Sequence, residues 1–280
     1  MIDLHIHSTY SDGIYKPAEL VAMAAAKGLK TIALADHDTV AGIDEALEAG
    51  QSRNVEVIPA VELSVQFDTY QDVHLLGYLI DHRDRTFLDK LAEFRTIRDQ
   101  RGQAIIANIN VKLQHEKKEA ITYDEAVNFA DGAFGRPHIA RVLVNRGYAK
   151  DMQDAFERYL IPCDEPKRYF PMDEALAEIR RLGGIAVLAH PTSISEERKV
   201  LATVIGKLAG KGLQGVEVYN NMCNADESAF LARLAEDLGL AATGGSDFHG
   251  IEGGIEMGSG RGQLAIPHTL ATALKNMHHL

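Results

Sequence analysis

Along most of this chain, short apolar runs take turns with amphipathic stretches of helical length. Residues 1–4 are apolar enough to begin a strand. Residues 17–27 carry the marks of a helix: Pro17 in the first turn, an alanine-rich body and Gly28 just past the end. A strand is predicted over 31–35 and a helix over about 42–49. Further strands are predicted over 55–60, running on into Val61-Glu62, and over 73–80. Between about 84 and 169 the rhythm breaks, with no convincing strand. A long amphipathic stretch over about 85–114 precedes a capping-box signature, Thr122-Tyr123-Asp124-Glu125, and helical segments at 137–146 and 152–160, divided at Gly147. Alternation then resumes with helix 172–182 (stopped by Gly183-Gly184), strand 185–189, helix 196–209, strand 215–219, helix 225–238 and strand 241–244.

Roughly seven strands in successive βα units predict an α/β fold with parallel pairing. The expected organisation is a barrel built from 1–83 and 170–280, interrupted by an all-helical insertion at 84–169. No internal repeat, low-complexity segment or Gly/Ser- or Pro-rich linker divides it.

The polar residues that close these apolar runs are of one chemical kind. His5 and His7 stand two apart on the first strand, so both project to the same face. Asp12 follows a short turn, and His37, Glu62, His74, His190, Asp247 and His249 are read at the ends of later strands. That is six of the 12 histidines and three carboxylates. In a (β/α) barrel the C-terminal strand ends carry the active site. Imidazole with carboxylate and no cysteine suits Zn, Mn or Fe. Nine ligands exceed the three or four that one catalytic metal takes, so two or three metals fit better. Each residue alone has a plain structural alternative; their convergence on one barrel mouth does not.

Composition narrows the partners. A net charge of −11 argues against general nucleic-acid coating or attraction to an anionic membrane. It does not exclude an anionic substrate, because bound divalent cations reverse the sign locally. No signal peptide and no apolar run of transmembrane length is present, and the chain is expected to start at its true N-terminus. Cys163 and Cys223, without a CxxC, are expected to be reduced thiols in a cytoplasmic protein.

Five segments in order, Asp3-Leu4-His5-Ile6-His7-Ser8, Ala35-Asp36-His37-Asp38, Glu62 after an apolar strand, His190-Pro191 and Gly245-Ser246-Asp247-Phe248-His249, resemble the signature of the PHP (polymerase and histidinol phosphatase) family. Phe134-Gly135-Arg136-Pro137-His138-Ile139-Ala140-Arg141, with Gly147-Tyr148 and Ala155-Phe156, resembles the bacterial branch of small PHP phosphoesterases that take phosphate from nucleotides. The resemblance implies a distorted, TIM-like (β/α)7 barrel with a trinuclear metal centre. One metal would use His5, His7, Glu62 and Asp247, a second Glu62, His74 and His190, and a third Asp12, His37 and His249. Manganese is the first expectation for the cofactor, with zinc or iron as alternatives.

Three divalent cations against three carboxylates leave a pocket of about +3, which attracts a phosphate ester. A water shared between metals becomes the nucleophile for direct in-line attack, with no phospho-enzyme. Asp12, His37, Glu62, Asp247 and His249 are the expected catalytic set. Asp36 and Asp38 are read as groups orienting His37. Arg136, His138, Tyr219, Asn220 and Arg261 are the expected substrate contacts. The glycine run from Gly253 to Gly262 reads as a flexible loop over the mouth and lacks the P-loop pattern. His82, His115, His268, His278 and His279 are expected to face solvent or lie in the tail.

The function expected is hydrolysis of a nucleotide phosphate monoester, such as a 3',5'-nucleoside bisphosphate or AMP. The partner is then a small phosphorylated substrate, with neither membrane nor general DNA binding. Alternatives are a histidinol-phosphate-type phosphatase, a 5'-3' exonuclease on short RNA, or a non-catalytic metal-binding domain.

Overall fold

Strand β1 (Ile2–Ile6) is buried along its whole length. Helix α1 (Pro17–Ala26) follows, then β2 (Thr31–Leu34), α2 (Ile43–Arg53), β3 (Glu56–Phe67) and β4 (Tyr70–Tyr78). The structure, a computed structural model, describes residues 1–129, 134–251 and 253–278. The helical segment comprises α3 (Arg85–His115), α4 (Tyr123–Val127), α5 (Arg136–Asn145) and α6 (Met152–Ala155), which runs on into a π-helical turn, Phe156–Leu160. The two-residue β5 (Phe170–Pro171) leads to α7 (Met172–Arg181), β6 (Ile185–Leu188), α8 (Arg198–Lys211), β7 (Gly215–Tyr219), α9 (Ala225–Asp237), β8 (Ala241–Gly244) and α10 (Thr269–His278).

Seven strands form one curved sheet in the order β1-β2-β3-β4-β6-β7-β8, with β5 paired to the far end of β3. β1, β2 and β3 pair in parallel, as do β6, β7 and β8. The segment after β8 returns to β1: Asp247 N–H donates to the His5 carbonyl at 2.9 Å and His7 N–H to the Phe248 carbonyl at 3.0 Å. These bonds bring the ring close to closure, a barrel of mostly parallel strands with helices outside. Gly245 makes the approach feasible, since a Cβ there would lie 2.1 Å from the His5 Cβ.

One strand departs from the expected direction. β4 runs antiparallel to both β3 and β6. Only Asp68 and Thr69 separate it from β3, too few for a crossover, and Asp68 takes a positive φ of 50° in the turn. β3 itself overshoots Glu62 by five residues, and β4 folds back so that His74 pairs with Ser64. His74 therefore reaches the mouth from mid-strand rather than from a C-terminal end.

Two cores share one helix. The start of α3 buries Phe87 and Leu91 in the barrel core with Val61, Leu63, Ile179 and Val216. Its later turns put Ile105, Ile106, Ile109 and Leu113 into a separate core with Ile139, Leu143, Tyr159 and Leu160. Asp84 caps the helix by accepting from Phe87 N–H at 2.8 Å, and the Thr122–Glu125 capping box forms as the sequence predicts. The sequence reading lacks α10, although Ala271 and Leu274 are buried on one face of it. The glycine run is no free loop either: Gly258 N–H donates to the buried Asp3 carboxylate at 2.7 Å and Met257 is buried. Cys163 and Cys223 are both free thiols. No helix among the described residues is long and apolar enough to cross a membrane.

Candidate metal centre

Glu62, fully buried in β3, stands at the middle of the histidines. Its Oε1 lies 3.1 Å from His74 Nδ1, 3.1 Å from His190 Nε2 and 3.4 Å from His5 Nε2. Its Oε2 lies 2.9 Å from His37 Nδ1 and 3.4 Å from His7 Nε2. Asp247 Oδ1 is 3.0 Å from His7 Nε2 and 3.5 Å from His5 Nε2. Asp12 Oδ1 is 3.1 Å from His249 Nε2, and its Oδ2 is 3.8 Å from His37 Nε2. All nine candidate ligands thus meet at the barrel mouth.

Three subsets have donor atoms mutually within 4.8 Å: His5, His7, Glu62 and Asp247; His7, Asp12, His37 and His249; and His37, Glu62 and His74. The first set is the one expected. The others differ in that His7 and His37 each sit between two sets, while His190 reaches the Glu62 group through its own 3.1 Å contact.

The buried atoms test whether cations fit. His5 Nε2, both nitrogens of His7, Asp12 Oδ1, His37 Nδ1 and Glu62 Oε2 are buried without a hydrogen-bond partner. Leaving a buried polar atom unpaired costs about 1–3 kcal/mol, so six together need another occupant. Each of these residues can turn a lone pair of the type that divalent metals take toward a shared point, His7 through one of its two ring nitrogens. The residues fit divalent metal ions.

Second contacts aim the rings. The Glu217 carboxylate, buried in β7, accepts from His5 Nδ1 at 3.0 Å and from the His190 backbone N–H at 2.8 Å. With its proton on Nδ1, His5 turns the Nε2 lone pair inward. His249 Nδ1 donates to the Asp247 carbonyl at 2.9 Å, which frees its Nε2 toward Asp12, and His190 Nδ1 lies 3.1 Å from Ser193 Oγ. The sequence reading missed Glu217, though a lone carboxylate inside Gly215-Val216-Glu217-Val218 was a visible anomaly.

Burial and mutual charge set the proton affinities. Burial works to lower the His5 pKa, but Glu62, Glu217 and Asp247 outweigh it and raise it well above the usual range. His7 is pushed down to about 3 by burial and by the neighbouring His249. Burial raises the Glu62 pKa, yet His37, His74 and His5 hold it well below the carboxylate range. Backbone conformation is also unusual here: Asp38, His190 and Asp247 have φ of 51°, 24° and 52°. Non-glycine residues held there store strain, which gathers at functional sites.

A family model described as PHP domain matches residues 3–169. The chain belongs to this family. A 5'-3' exoribonuclease of Haemophilus influenzae is 36% identical over 91% of this chain and 92% of that one. A 3',5'-nucleoside bisphosphate phosphatase of Chromobacterium violaceum is 33% identical over 92% of this chain and 90% of that one. A solved structure from Bifidobacterium adolescentis, assigned provisionally as a metal-dependent phosphoesterase, superposes with a TM-score of 0.84. It is 26% identical, covering 98% of this chain and 94% of that one. This PHP protein is a metal-dependent phosphoric ester hydrolase.

Two cavities open onto the PHP centre. One, of about 380 Å³, is bordered by Asp12, His37, His74 and His190 and walled by Arg98, Arg101, Arg136, Lys167 and Arg168. The other, of about 610 Å³, is bordered by Asp12, His190, Asp247 and His249, with Phe156, Ile251 and Ile255. Arg136 lies in the first, where it donates to Asp164 at 2.6 Å; Asn220 and Arg261 border the second. Tyr219 borders a separate neighbouring cavity that holds none of the candidate ligands. His138 borders none of these cavities. It is buried, and its Nδ1 accepts from Gly135 N–H at 3.0 Å, closing the start of α5.

Asp36 and Asp38 do not orient His37. Asp36 accepts from Ser8 N–H at 2.7 Å, Ser8 Oγ at 2.7 Å and Ser11 Oγ at 2.5 Å, fixing the turn that carries Asp12. Asp38 accepts from Ser64 N–H at 2.9 Å and pairs with Arg98 of α3. Burial lowers the Arg98 pKa to about 10, with Asp12 opposing. The sequence reading overlooked Arg98 because Arg95, Arg98 and Arg101 look like one solvated helix face. His82 is half-buried against Asp44 at 2.9 Å, not solvent-facing, and His279 lies outside the described residues.

Proposed function

We propose that this protein hydrolyses a nucleotide phosphate monoester, such as a 3',5'-nucleoside bisphosphate or AMP, with three divalent cations. The observation carrying this reading is the placing of a basic cavity directly beside the nine converging donors. His5, His7, Glu62 and Asp247 would hold one cation, Glu62, His74 and His190 a second, and Asp12, His37 and His249 a third. Manganese suits the mixed imidazole and carboxylate set, as do zinc and iron. Bound there, the cations supply Lewis-acid stabilisation at phosphorus and a nucleophile at neutral pH.

The chain's own residues do the rest. Glu217, Ser193 and the Asp247 carbonyl hold His5, His190 and His249 with the coordinating nitrogens turned inward. The helical segment acts as a cap whose α3 and α5 bring guanidinium groups to the wall of the basic cavity. Arg101 and Arg136 share one carboxylate, Asp164, which leaves net positive charge to meet a second phosphate. The names of the exoribonuclease and bisphosphate-phosphatase relatives support a nucleotide substrate.

A second reading, 5'-3' exonuclease action on short RNA, is favoured by the second cavity. It shares Asp12 and His190 with the first and gives a leaving nucleoside room beside the centre.

Phosphate release by the Mn-loaded protein tests both readings, side by side on adenosine 3',5'-bisphosphate, AMP, histidinol phosphate and a 5'-phosphorylated RNA. Turnover of the mononucleotides with histidinol phosphate inert supports the first reading. Mononucleotide products from the RNA support the second. Turnover of histidinol phosphate alone overturns both, and full metal occupancy without hydrolysis of anything removes the catalytic assignment.

A further inference from the structure

Five side chains border both cavities at the metal centre. Two are candidate ligands, Asp12 and His190; the other three are apolar, Pro137, Phe156 and Met222. A short apolar strip thus runs along the junction of the two cavities, above a floor of imidazoles and carboxylates. Neither a phosphate nor a ribose hydroxyl gains from such a strip. We propose that Phe156 and Met222 clamp the nucleobase of the substrate, with Phe156 as the stacking platform. The inference rests on the nucleotide reading and deepens it by naming the part of the substrate that the strip recognises.

Phe156 is presented on a stiff support. It is the first residue of the π-helical turn, where Ile161 N–H donates to its carbonyl at 2.9 Å. Single π-helical turns recur at functional sites because they displace one residue from the regular helix surface. Tyr159 anchors this turn: its hydroxyl donates to Glu116 at 2.6 Å and accepts from Lys118 at 2.8 Å. The Arg136 guanidinium lies over the Phe156 ring, 5.8 Å from its centroid. The ring therefore works as a π surface already, between a cation of the basic cavity and the open junction.

Met222 faces the junction from the barrel side and is 53% exposed, unusual for so large an apolar side chain beside a polar floor. Its backbone is pinned, the N–H donating to Asn220 Oδ1 at 2.9 Å. A polarisable thioether packs well against an aromatic system. Three nearby amides commit their NH2 groups within the protein: Gln153 donates to Glu157 at 2.6 Å, Asn220 to the Glu217 carbonyl at 3.2 Å, and Asn221 to the Ser246 carbonyl. The faces of a base, more than its hydrogen-bonding edges, meet what this junction offers.

The chain contains no tryptophan, so Phe156→Trp installs a single fluorescent reporter at the platform. It is mixed with adenosine 3',5'-bisphosphate or with ribose 5-phosphate, and emission is read before turnover in the Mn-loaded enzyme. Quenching by the nucleotide and none by the sugar phosphate is the expected result. Phe156→Ala supplies the second measurement: the preference for AMP over ribose 5-phosphate in apparent affinity falls roughly 5- to 150-fold, the range that base stacking on an aromatic ring spans. Phe156→Tyr, which keeps the ring, retains the preference. Equal loss of affinity for both compounds in Phe156→Ala, or no quenching while the nucleotide is still turned over, overturns the clamp and leaves the nucleotide reading standing. If the wild-type protein turns over no nucleotide or RNA, the nucleotide reading falls first and the clamp with it.

Discussion

Glu217→Gln is the sharpest perturbation of the metal centre, because it exchanges one charged acceptor oxygen for an amide NH2 with almost no change in volume. In the wild-type protein both carboxylate oxygens accept, one from His5 Nδ1 at 3.0 Å and one from His190 N–H at 2.8 Å. Glutamine offers one acceptor and one donor in the same place. The His190 backbone N–H cannot change character, so the glutamine oxygen must face it. The amide NH2 then faces His5 Nδ1, which can accept only by moving its proton to Nε2. That proton would point at Glu62 and Asp247, 3.4 and 3.5 Å away, where the lone pair is needed for a cation. Loss of such a supporting contact typically costs 10–100-fold in metal affinity or activity, about 1.4–2.7 kcal/mol. The assay is Mn affinity by competition with a chelator, read with phosphate release at saturating metal. Weakened affinity with activity recovered at high metal is the expected outcome. Affinity within twofold of wild type would refute the tautomer argument. Glu217→Ala strands two buried N–H groups instead, and should lower stability by about 2–5 kcal/mol in urea unfolding.

Gly245→Ala places a Cβ 2.1 Å from the His5 Cβ and 2.5 Å from its backbone nitrogen, so it should open the β8–β1 seam. Loss of metal binding together with a lowered Tm is expected, and a variant that keeps both would contradict it. Arg98→Met leaves the nearly buried Asp38 charge without its guanidinium, and should cost about 3 kcal/mol, the lower range for breaking a buried pair. In a double-mutant cycle with Asp38→Asn, the two losses should not add. The Asp84 carboxyl, at the start of α3, is lowered to about 2, chiefly by its hydrogen bonds from Arg181 and from Phe87 N–H. A depressed pKa means that this contribution is complete above the ordinary carboxylate value and is lost as pH falls toward about 2. Asp84→Asn should therefore flatten the acid limb of Tm against pH, and an unchanged limb would count against the pair.

The candidate ligands were legible as a group because metal chemistry restricts residue types so severely. Histidines and carboxylates that recur in and beside successive apolar runs point to cation binding, even though His74 lies mid-strand. Strand direction was less visible. Nothing in the apolar run around His74 says which way it points; the two-residue gap after β3 says so, but only once β3 is known to extend past Glu62 to Phe67. The supporting residues were hardest to read. Asp36 sits beside His37 in sequence yet serves Ser8 and Ser11, because its partners come from the β1 side of the barrel. Arg98 is one of several arginines on a long helix, and only the packing of α3 against the β2–α2 loop distinguishes it. His138 follows the same pattern: a histidine near a candidate arginine, spent on closing the helix beneath it.

The seam between β8 and β1 also determines when the centre can exist during synthesis. Asp3 and Ser246, 243 positions apart in sequence and bonded to each other at 2.8 Å, sit beside candidate ligands from β1 and from the segment after β8. A ribosome making this chain exposes His5 and His7 long before Asp247 and His249. Until then the early histidines have no carboxylates from the far side of the ring, and contacts so distant in sequence form late and slowly. The nascent chain is thus barred from completing its metal centre before nearly all of the barrel has emerged. A hydrolase assembled this way gains its centre only once β8 and the segment after it have closed onto β1.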